Sequence, residues 1–124
     1  MAFLDDEENM LRMFSRIYRK ESFRLEVFSQ ATEFLSFLEG SKVDLLVSDL
    51  RMPHIDGLKL LNILDQRGSD FPIILLSGDL NLDQIELESL KNLKRILQKP
   101  IDGQHLKKVI LELLKECKVE GNHI

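Results

Sequence analysis

Residues 43–49 read Val-Asp-Leu-Leu-Val-Ser-Asp, an apolar run that ends on a carboxylate. Such a run is typical of a strand buried on both faces of a parallel sheet. Other strand-like segments lie at 2–4, 23–28, 71–76 and 95–98, and segments with the apolar spacing of helices separate them. Strands that alternate with helices predict an α/β fold, in which helices cover both faces of a parallel sheet.

The predicted helices follow the strands in chain order. They span about 9–20, a segment from Ser29 to Gly40, a segment that begins near Gly57, about 83–92 and about 102–118. The last helix has a regular apolar stripe, and the residues after it do not continue the pattern. We therefore expect one domain over 1–118 and a flexible C-terminal tail over 119–124.

Composition narrows the class of protein. The 124 residues are 44% hydrophobic and 31% charged, as in a globular domain. No apolar run approaches the ~20 residues that span a bilayer, and the start lacks the basic and apolar regions of a signal peptide. The single Cys117 cannot form an internal disulfide, so we expect a cytoplasmic protein. A net charge of −4 gives no electrostatic basis for binding nucleic acid.

Polar residues lie where four of the predicted strands end. In chain order these residues are Asp5 and Asp6, Asp49, Ser77 and Gly78, and Lys99. The carboxyl ends of parallel strands meet at one edge of the sheet, which is where α/β proteins place their sites. The sequence therefore predicts a single site at this edge.

Three carboxylates in one pocket repel one another unless a cation is present, and carboxylate oxygens suit Mg²⁺. We expect Asp6 and Asp49 to bind Mg²⁺ directly and Asp5 to bind it through water, with the backbone carbonyl of Arg51 as a further ligand. The alternative for the Asp5-Asp6 pair is simple capping of the first helix.

Asp49 is the predicted nucleophile, because a carboxylate can attack phosphorus to form an acyl phosphate. The phosphoryl oxygens then need stabilisation, and Lys99, the Ser77 hydroxyl and the Gly78 amide could provide it. Taken alone, Lys99 could be a surface lysine, and Ser77-Gly78 could be an ordinary turn.

Together these residues closely resemble the receiver domain of two-component response regulators, including the single-domain, chemotaxis-type receivers. The matching motifs are Leu4-Asp5-Asp6-Glu7, Val47-Ser48-Asp49-Leu50-Arg51-Met52-Pro53, Asp56-Gly57, Leu76-Ser77-Gly78 and Gln98-Lys99-Pro100-Ile101. The resemblance implies a flavodoxin-like (βα)5 three-layer sandwich with strand order 2-1-3-4-5. It also implies phosphorylation by a sensor histidine kinase or histidine phosphotransfer protein, and output to a domain or partner through the face formed by helix 4, strand 5 and helix 5.

The chain departs from this pattern in two places. Only four residues precede Asp5, so we expect the first strand to form with marginal pairing at its amino end. Receivers often have Tyr or Phe three residues before the lysine, as part of a switch coupled to the serine, whereas this chain has Ile96. Ser77 and Ile96 are therefore the predicted switch positions. Arg51 and Asp79 flank the pocket, and we expect them to tune the lifetime of the phosphoryl group.

Two alternatives remain open at this point. A degenerate receiver would act only as a phosphorylation-independent interaction module. A Mg²⁺-dependent phosphatase would normally place an acid two residues after its nucleophile, where this chain has Arg51. We expect a receiver that catalyses only its own phosphorylation and dephosphorylation, and no enzyme acting on other substrates.

Overall fold

A computed structural model of the chain describes residues 1–19, 24–51, 55, 57–78 and 92–121, with side chains up to 115. Its elements in chain order are β1 (Ala2–Leu4), α1 (Glu8–Tyr18), β2 (Glu26–Phe28), α2 (Ala31–Gly40), β3 (Leu46–Asp49), α3 (Gly57–Gln66), β4 (Ile73–Ser77), β5 (Leu93–Gln98) and α4 (Gly103–Gly121). Apart from Asn92, the helix predicted over 83–92 lies outside the described residues. No helix in the described ranges is long and apolar enough to span a bilayer.

The five strands form one parallel sheet of order β2-β1-β3-β4-β5, as predicted. β1 has only three residues, but all three pair with β2 on one side and β3 on the other. Backbone hydrogen bonds extend this pairing to Met1, whose carbonyl accepts from the Glu26 N–H at 2.9 Å. Pairing at the amino end of β1 is therefore complete rather than marginal.

Two elements differ in extent from the sequence prediction. β3 begins at Leu46 and not at Val43, because both neighbouring strands begin opposite Leu46, β1 with Ala2 and β4 with Ile73. The last helix, α4, continues to Gly121. Residues 119–121, assigned by the sequence to a flexible tail, thus belong to this helix, while 122–124 lie outside the described residues.

Alternation along the strands divides the apolar side chains between two cores. Leu46 of β3 packs on the side of α2 and α3, and its neighbour Val47 packs on the side of α1 and α4. The core beside α1, called here the α1-side core, includes Phe3, Phe14, Tyr18, Val47, Ile74, Leu76, Leu106 and Ile110. The core on the other face includes Leu4, Phe28, Phe34, Leu46, Leu60, Leu64, Phe71 and Leu75. The strands therefore run to the carboxyl edge of the sheet between two buried apolar cores.

Candidate functional site

The predicted site residues meet at the carboxyl edge of the sheet. Asp5 follows β1, Asp49 ends β3, Ser77 ends β4 and Lys99 follows β5. The backbone N–H of Lys99 donates to the Ser77 carbonyl at 2.7 Å, which extends the β4–β5 pairing to the start of the next loop. The parallel sheet thus brings residues that are far apart in sequence to one rim.

Asp5, Asp6 and Asp49 form an acid cluster. One carboxylate oxygen from each lies within 4.8 Å of the others. Asp5 is 1% exposed and Asp49 is 7% exposed, whereas Asp6 faces solvent. The cluster therefore has two buried carboxylates and one accessible carboxylate at its mouth.

Lys99 is shared between the two buried acids. Its ammonium lies 3.3 Å from Asp5 Oδ2 and 3.3 Å from Asp49 Oδ1. The other oxygen of Asp5, Oδ1, accepts a hydrogen bond from the Glu7 N–H at 2.9 Å. Both oxygens of Asp5 therefore have partners in the protein.

The charges in the pocket do not balance. Burial raises the pKa of both Asp5 and Asp49, and the hydrogen bonds and positive charge of Lys99 offset this only in part. Burial lowers the pKa of Lys99, but the neighbouring carboxylates of Asp5 and Asp49 outweigh it and raise this pKa above its ordinary value. Lys99 is thus held in its charged form, but its single positive charge does not fully offset the effect of burial on the carboxylates of Asp5 and Asp49.

This charge deficit is the observation that fits a divalent cation. Three hard carboxylate oxygens converge, one of the acids is accessible from solvent, and three carboxylates face the single ammonium of Lys99, which leaves a formal charge of −2. Such a donor set suits Mg²⁺, which is bound through one or two carboxylates while it keeps several waters. The acidic triad is therefore consistent with the metal site typical of receivers.

The backbone around Asp49 is held from several directions. Leu50 N–H donates to the Leu76 carbonyl at 2.9 Å, and Gly57 N–H donates to the Leu50 carbonyl at 2.6 Å. The buried Ser48 hydroxyl donates to the Asp49 carbonyl at 3.0 Å. A β-carbon at position 57 would lie 2.7 Å from that same carbonyl oxygen, so only glycine allows α3 to start this close to Asp49.

Comparison with known proteins agrees with this geometry. The model of the response regulator receiver domain matches residues 2–111 of the chain. The chain belongs to the response regulator receiver family. The resemblance indicated by the sequence motifs is therefore confirmed. Membership of this family implies, in general, a histidine kinase as partner.

Several known proteins and solved structures are similar to this chain. The transcriptional regulatory protein FixJ of Bradyrhizobium diazoefficiens is 28% identical over 92% of this chain and 56% of its own length. The DNA-binding transcriptional regulator NtrC of Proteus hauseri is 29% identical over 80% of this chain and 21% of its own length. The chain thus spans between about a fifth and just over half of these relatives. Among solved structures, the signal receiver domain of an HD domain-containing protein from Pseudomonas fluorescens Pf-5 is 28% identical, with 93% of each chain covered and a TM-score of 0.84.

The structure describes four of the five remaining predicted positions, which are Ser77, Gly78, Ile96 and Arg51. Ser77 is buried at the end of β4, and Gly78 follows it in an exposed bend. Ile96 of β5 is partly buried against the core beside α2 and α3. Arg51 is exposed two residues after Asp49, while Asp79, its predicted counterpart, lies outside the described residues.

Two residues near the site were missed by reasoning from sequence. Ser48 was read only as part of an apolar strand, although a hydroxyl inside such a run signals a local hydrogen bond. Tyr18 lies in the first predicted helix, where its hydroxyl was given no role, yet this hydroxyl donates to the Gly103 carbonyl at 3.2 Å. Both hydroxyls donate to backbone carbonyls, one of Asp49 and one at the start of α4, and spacing alone does not reveal such contacts.

Proposed function

We propose that Asp49 accepts a phosphoryl group from a sensor histidine kinase or histidine phosphotransfer protein in a Mg²⁺-dependent reaction. The observation that best supports this is the sharing of Lys99 between Asp5 and Asp49, the two buried carboxylates of the acid cluster. A buried carboxylate beside a fixed ammonium offers both a nucleophile and positive charge for the transferred group. The phosphorylated domain then changes an output surface.

In the transfer step, an Asp49 carboxylate oxygen forms a bond to phosphorus while the bond from phosphorus to the donor nitrogen breaks. The product is an acyl phosphate on Asp49 and a free imidazole on the donor. Bound Mg²⁺ would be held by Asp6 and Asp49 directly, Asp5 through water and the Arg51 carbonyl, and would supply positive charge to the phosphoryl oxygens.

Lys99 has a second role once the phosphoryl group is present. Its ammonium, 3.3 Å from the Asp49 carboxylate, is within reach of an oxygen on a group bound there and can neutralise charge that develops on it. The Ser77 hydroxyl and the Gly78 amide stabilise another oxygen. Arg51 and Asp79 tune how fast water removes the group.

The step after phosphorylation involves Ser77 and Ile96. Ile96 packs partly against the core beside α2 and α3. Because its side chain is aliphatic, it lacks the large ring of receivers that switch through an aromatic rotamer. The signal then depends on Ser77 and on ordering of the loops around the rim. The output surface is the face that includes β5 and the last helix, α4, and the expected compartment is the cytoplasm.

Intact-protein mass spectrometry after incubation with acetyl phosphate and Mg²⁺ tests this proposal. We expect the wild type to gain the mass of one phosphoryl group, and the gain to disappear with EDTA or in Asp49→Asn. Asp65→Asn is the matched control, because Asp65 is an exposed acid on α3 outside the cluster. No gain in the wild type would favour the interaction module, and turnover of an external phosphoester would favour a phosphatase.

A further inference from the structure

The position of Lys99 depends on the loop that follows β5. The segment from Lys99 to Gly103, called here the Lys99 loop, joins β5 to α4. Its amino end is tied to the sheet by the Lys99 N–H bond to the Ser77 carbonyl. The ammonium at this end makes two ion pairs, each at 3.3 Å, with Asp5 and Asp49.

Tyr18 contacts that other end. It is the last residue of α1, is 1% exposed, and donates from its hydroxyl to the Gly103 carbonyl at 3.2 Å. Its ring stacks on Phe3 with centroids 5.4 Å apart, and Phe3 stacks on Phe14 at 4.3 Å. Because Phe3 lies two residues before Asp5, Tyr18 joins the strand that positions Asp5 to the loop that positions Lys99.

The start of α4 is packed closely against α1. A β-carbon at Gly103 would collide with Ile17 Cδ1, so the absence of a side chain allows this approach. The carboxylate of Asp102 accepts from the Gln104 N–H at 3.0 Å and fixes the first turn of the helix. The Gly103 carbonyl therefore lies at a capped helix start beside α1, and a bond to it links the end of the Lys99 loop to α1.

We propose that Tyr18 is a positioning residue for Lys99, acting through the Gly103 carbonyl. The hydroxyl holds the carboxyl end of the Lys99 loop against α1, and the loop in turn keeps the ammonium between Asp5 and Asp49. The consequences for phosphoryl chemistry rest on the function proposed above.

Tyr18→Phe tests this, because it keeps the stacking ring and removes only the hydroxyl. The Lys99 ammonium competes with an added cation for the carboxylates of Asp5 and Asp49, but it favours a phosphoryl group on Asp49. Releasing Lys99 should therefore tighten Mg²⁺ binding and weaken beryllofluoride binding at saturating Mg²⁺. We expect changes of about 2- to 10-fold in opposite directions, measured by calorimetry.

Two further variants separate positioning from general loss of stability. Lys99→Met should show both shifts, each larger than in Tyr18→Phe. Phe14→Leu disturbs the same aromatic stack but leaves the Tyr18 hydroxyl in place. It should lower the melting temperature without moving the two affinities in opposite directions. Equal affinities in Tyr18→Phe and the wild type, or a joint fall of both affinities, would overturn the proposal.

A measurement on the metal-free protein is independent of phosphoryl chemistry. In ¹H–¹⁵N NMR spectra, Tyr18→Phe should shift the amide resonances of Lys99 and Gly103, while the amide of Gln30, an exposed control residue directly before α2, stays unchanged. An unmoved Lys99 resonance would refute the positioning role whatever the wild type does with Mg²⁺. Failure of the wild type to bind Mg²⁺ or beryllofluoride, together with a shifted Lys99 resonance, would instead refute the proposed function alone.

Discussion

The α1-side core around Phe3 and the acid cluster around Asp49 adjoin each other at the ends of the same strands. Phe3 is 0% exposed and Asp5, two residues later, is 1% exposed. Burial of the aromatic ring removes apolar surface from water and stabilises the fold. Burial of the carboxylate has the opposite effect and raises its pKa. The buried carboxylates at the rim therefore cost folding free energy, and the burial of apolar side chains in the core must offset this cost.

The largest expected effect comes from the core. Phe3→Ala removes the ring that stacks on Phe14 and Tyr18, and we expect it to lower the free energy of unfolding by about 3–5 kcal/mol. Val27→Ala is the control, because Val27 pairs with Phe3 in the ladder but is 40% exposed. Urea denaturation followed by circular dichroism measures both. Similar losses in the two variants would contradict the account of the core.

Gly57→Ala tests the junction between the two regions. The new β-carbon would meet the Asp49 carbonyl and the Leu50 backbone at 2.7–2.8 Å, and backbone atoms cannot move aside cheaply. We expect a loss of about 1–3 kcal/mol in urea denaturation, together with slower phosphorylation by acetyl phosphate. Gly40→Ala is the matched control, because nothing lies within 4 Å of its β-carbon. Equal behaviour of the two variants would show that Asp49 tolerates displacement.

Asp49→Asn should stabilise the metal-free protein. Because burial raises the pKa of Asp49, the folded state binds its proton more tightly than the unfolded chain. Stability is therefore lost as the pH rises from the unfolded pKa, about 3.9, through the folded pKa, and at pH 7 this carboxylate opposes folding. We expect the variant to gain roughly 0.5–2 kcal/mol at pH 7.

The pH and metal dependence provide the control for Asp49→Asn. The advantage over the wild type should shrink as the pH falls through the raised pKa of Asp49 in the folded state to its unfolded pKa, about 3.9. Added Mg²⁺ should also reduce it, because a cation that binds only the folded acid cluster stabilises the wild type by mass action. A constant difference across pH and Mg²⁺ concentration, measured by urea denaturation, would contradict an electrostatic cause.

The smallest effect is expected for exposed charges. Arg12 and Glu8 form an ion pair at 3.7 Å on α1, with side chains 73% and 79% exposed. Arg12→Ala should therefore change the free energy of unfolding by no more than about 0.5 kcal/mol. Thermal unfolding at low and high salt measures this. A larger, salt-dependent loss of unfolding free energy would show that exposed charges also contribute substantially to stability.

Much of the fold could be predicted from sequence, because apolar periodicity reports burial directly. The alternation of strand-like and helix-like segments indicated the parallel sheet, and the polar residues at four strand ends indicated a site at one rim. The start of β3 was predicted too early, since the run from Val43 is apolar but its pairing is limited by where β1 and β4 begin. Periodicity reports which face is buried and contains no information about where a neighbouring strand begins.

The contacts that hold the site were harder to predict. The hydrogen bonds of Ser48 and Tyr18 depend on which backbone carbonyl lies beside each hydroxyl, and that depends on tertiary packing. The close approach of Gly57 to Asp49 has the same origin. Sequence motifs therefore indicated the reacting groups, whereas the contacts that position these groups could be identified only from the three-dimensional structure.

If Asp49 is the phosphoryl acceptor, the phosphoryl group is bound to its side chain as an acyl phosphate. Borohydride reduces an acyl phosphate to an alcohol, so a phosphorylated aspartate becomes homoserine, which peptide mass mapping can locate. After treatment with acetyl phosphate, Mg²⁺ and borohydride, we predict homoserine at position 49, and none at positions 5 or 6. Homoserine at another position, or unmodified aspartate at all three positions, would contradict the account.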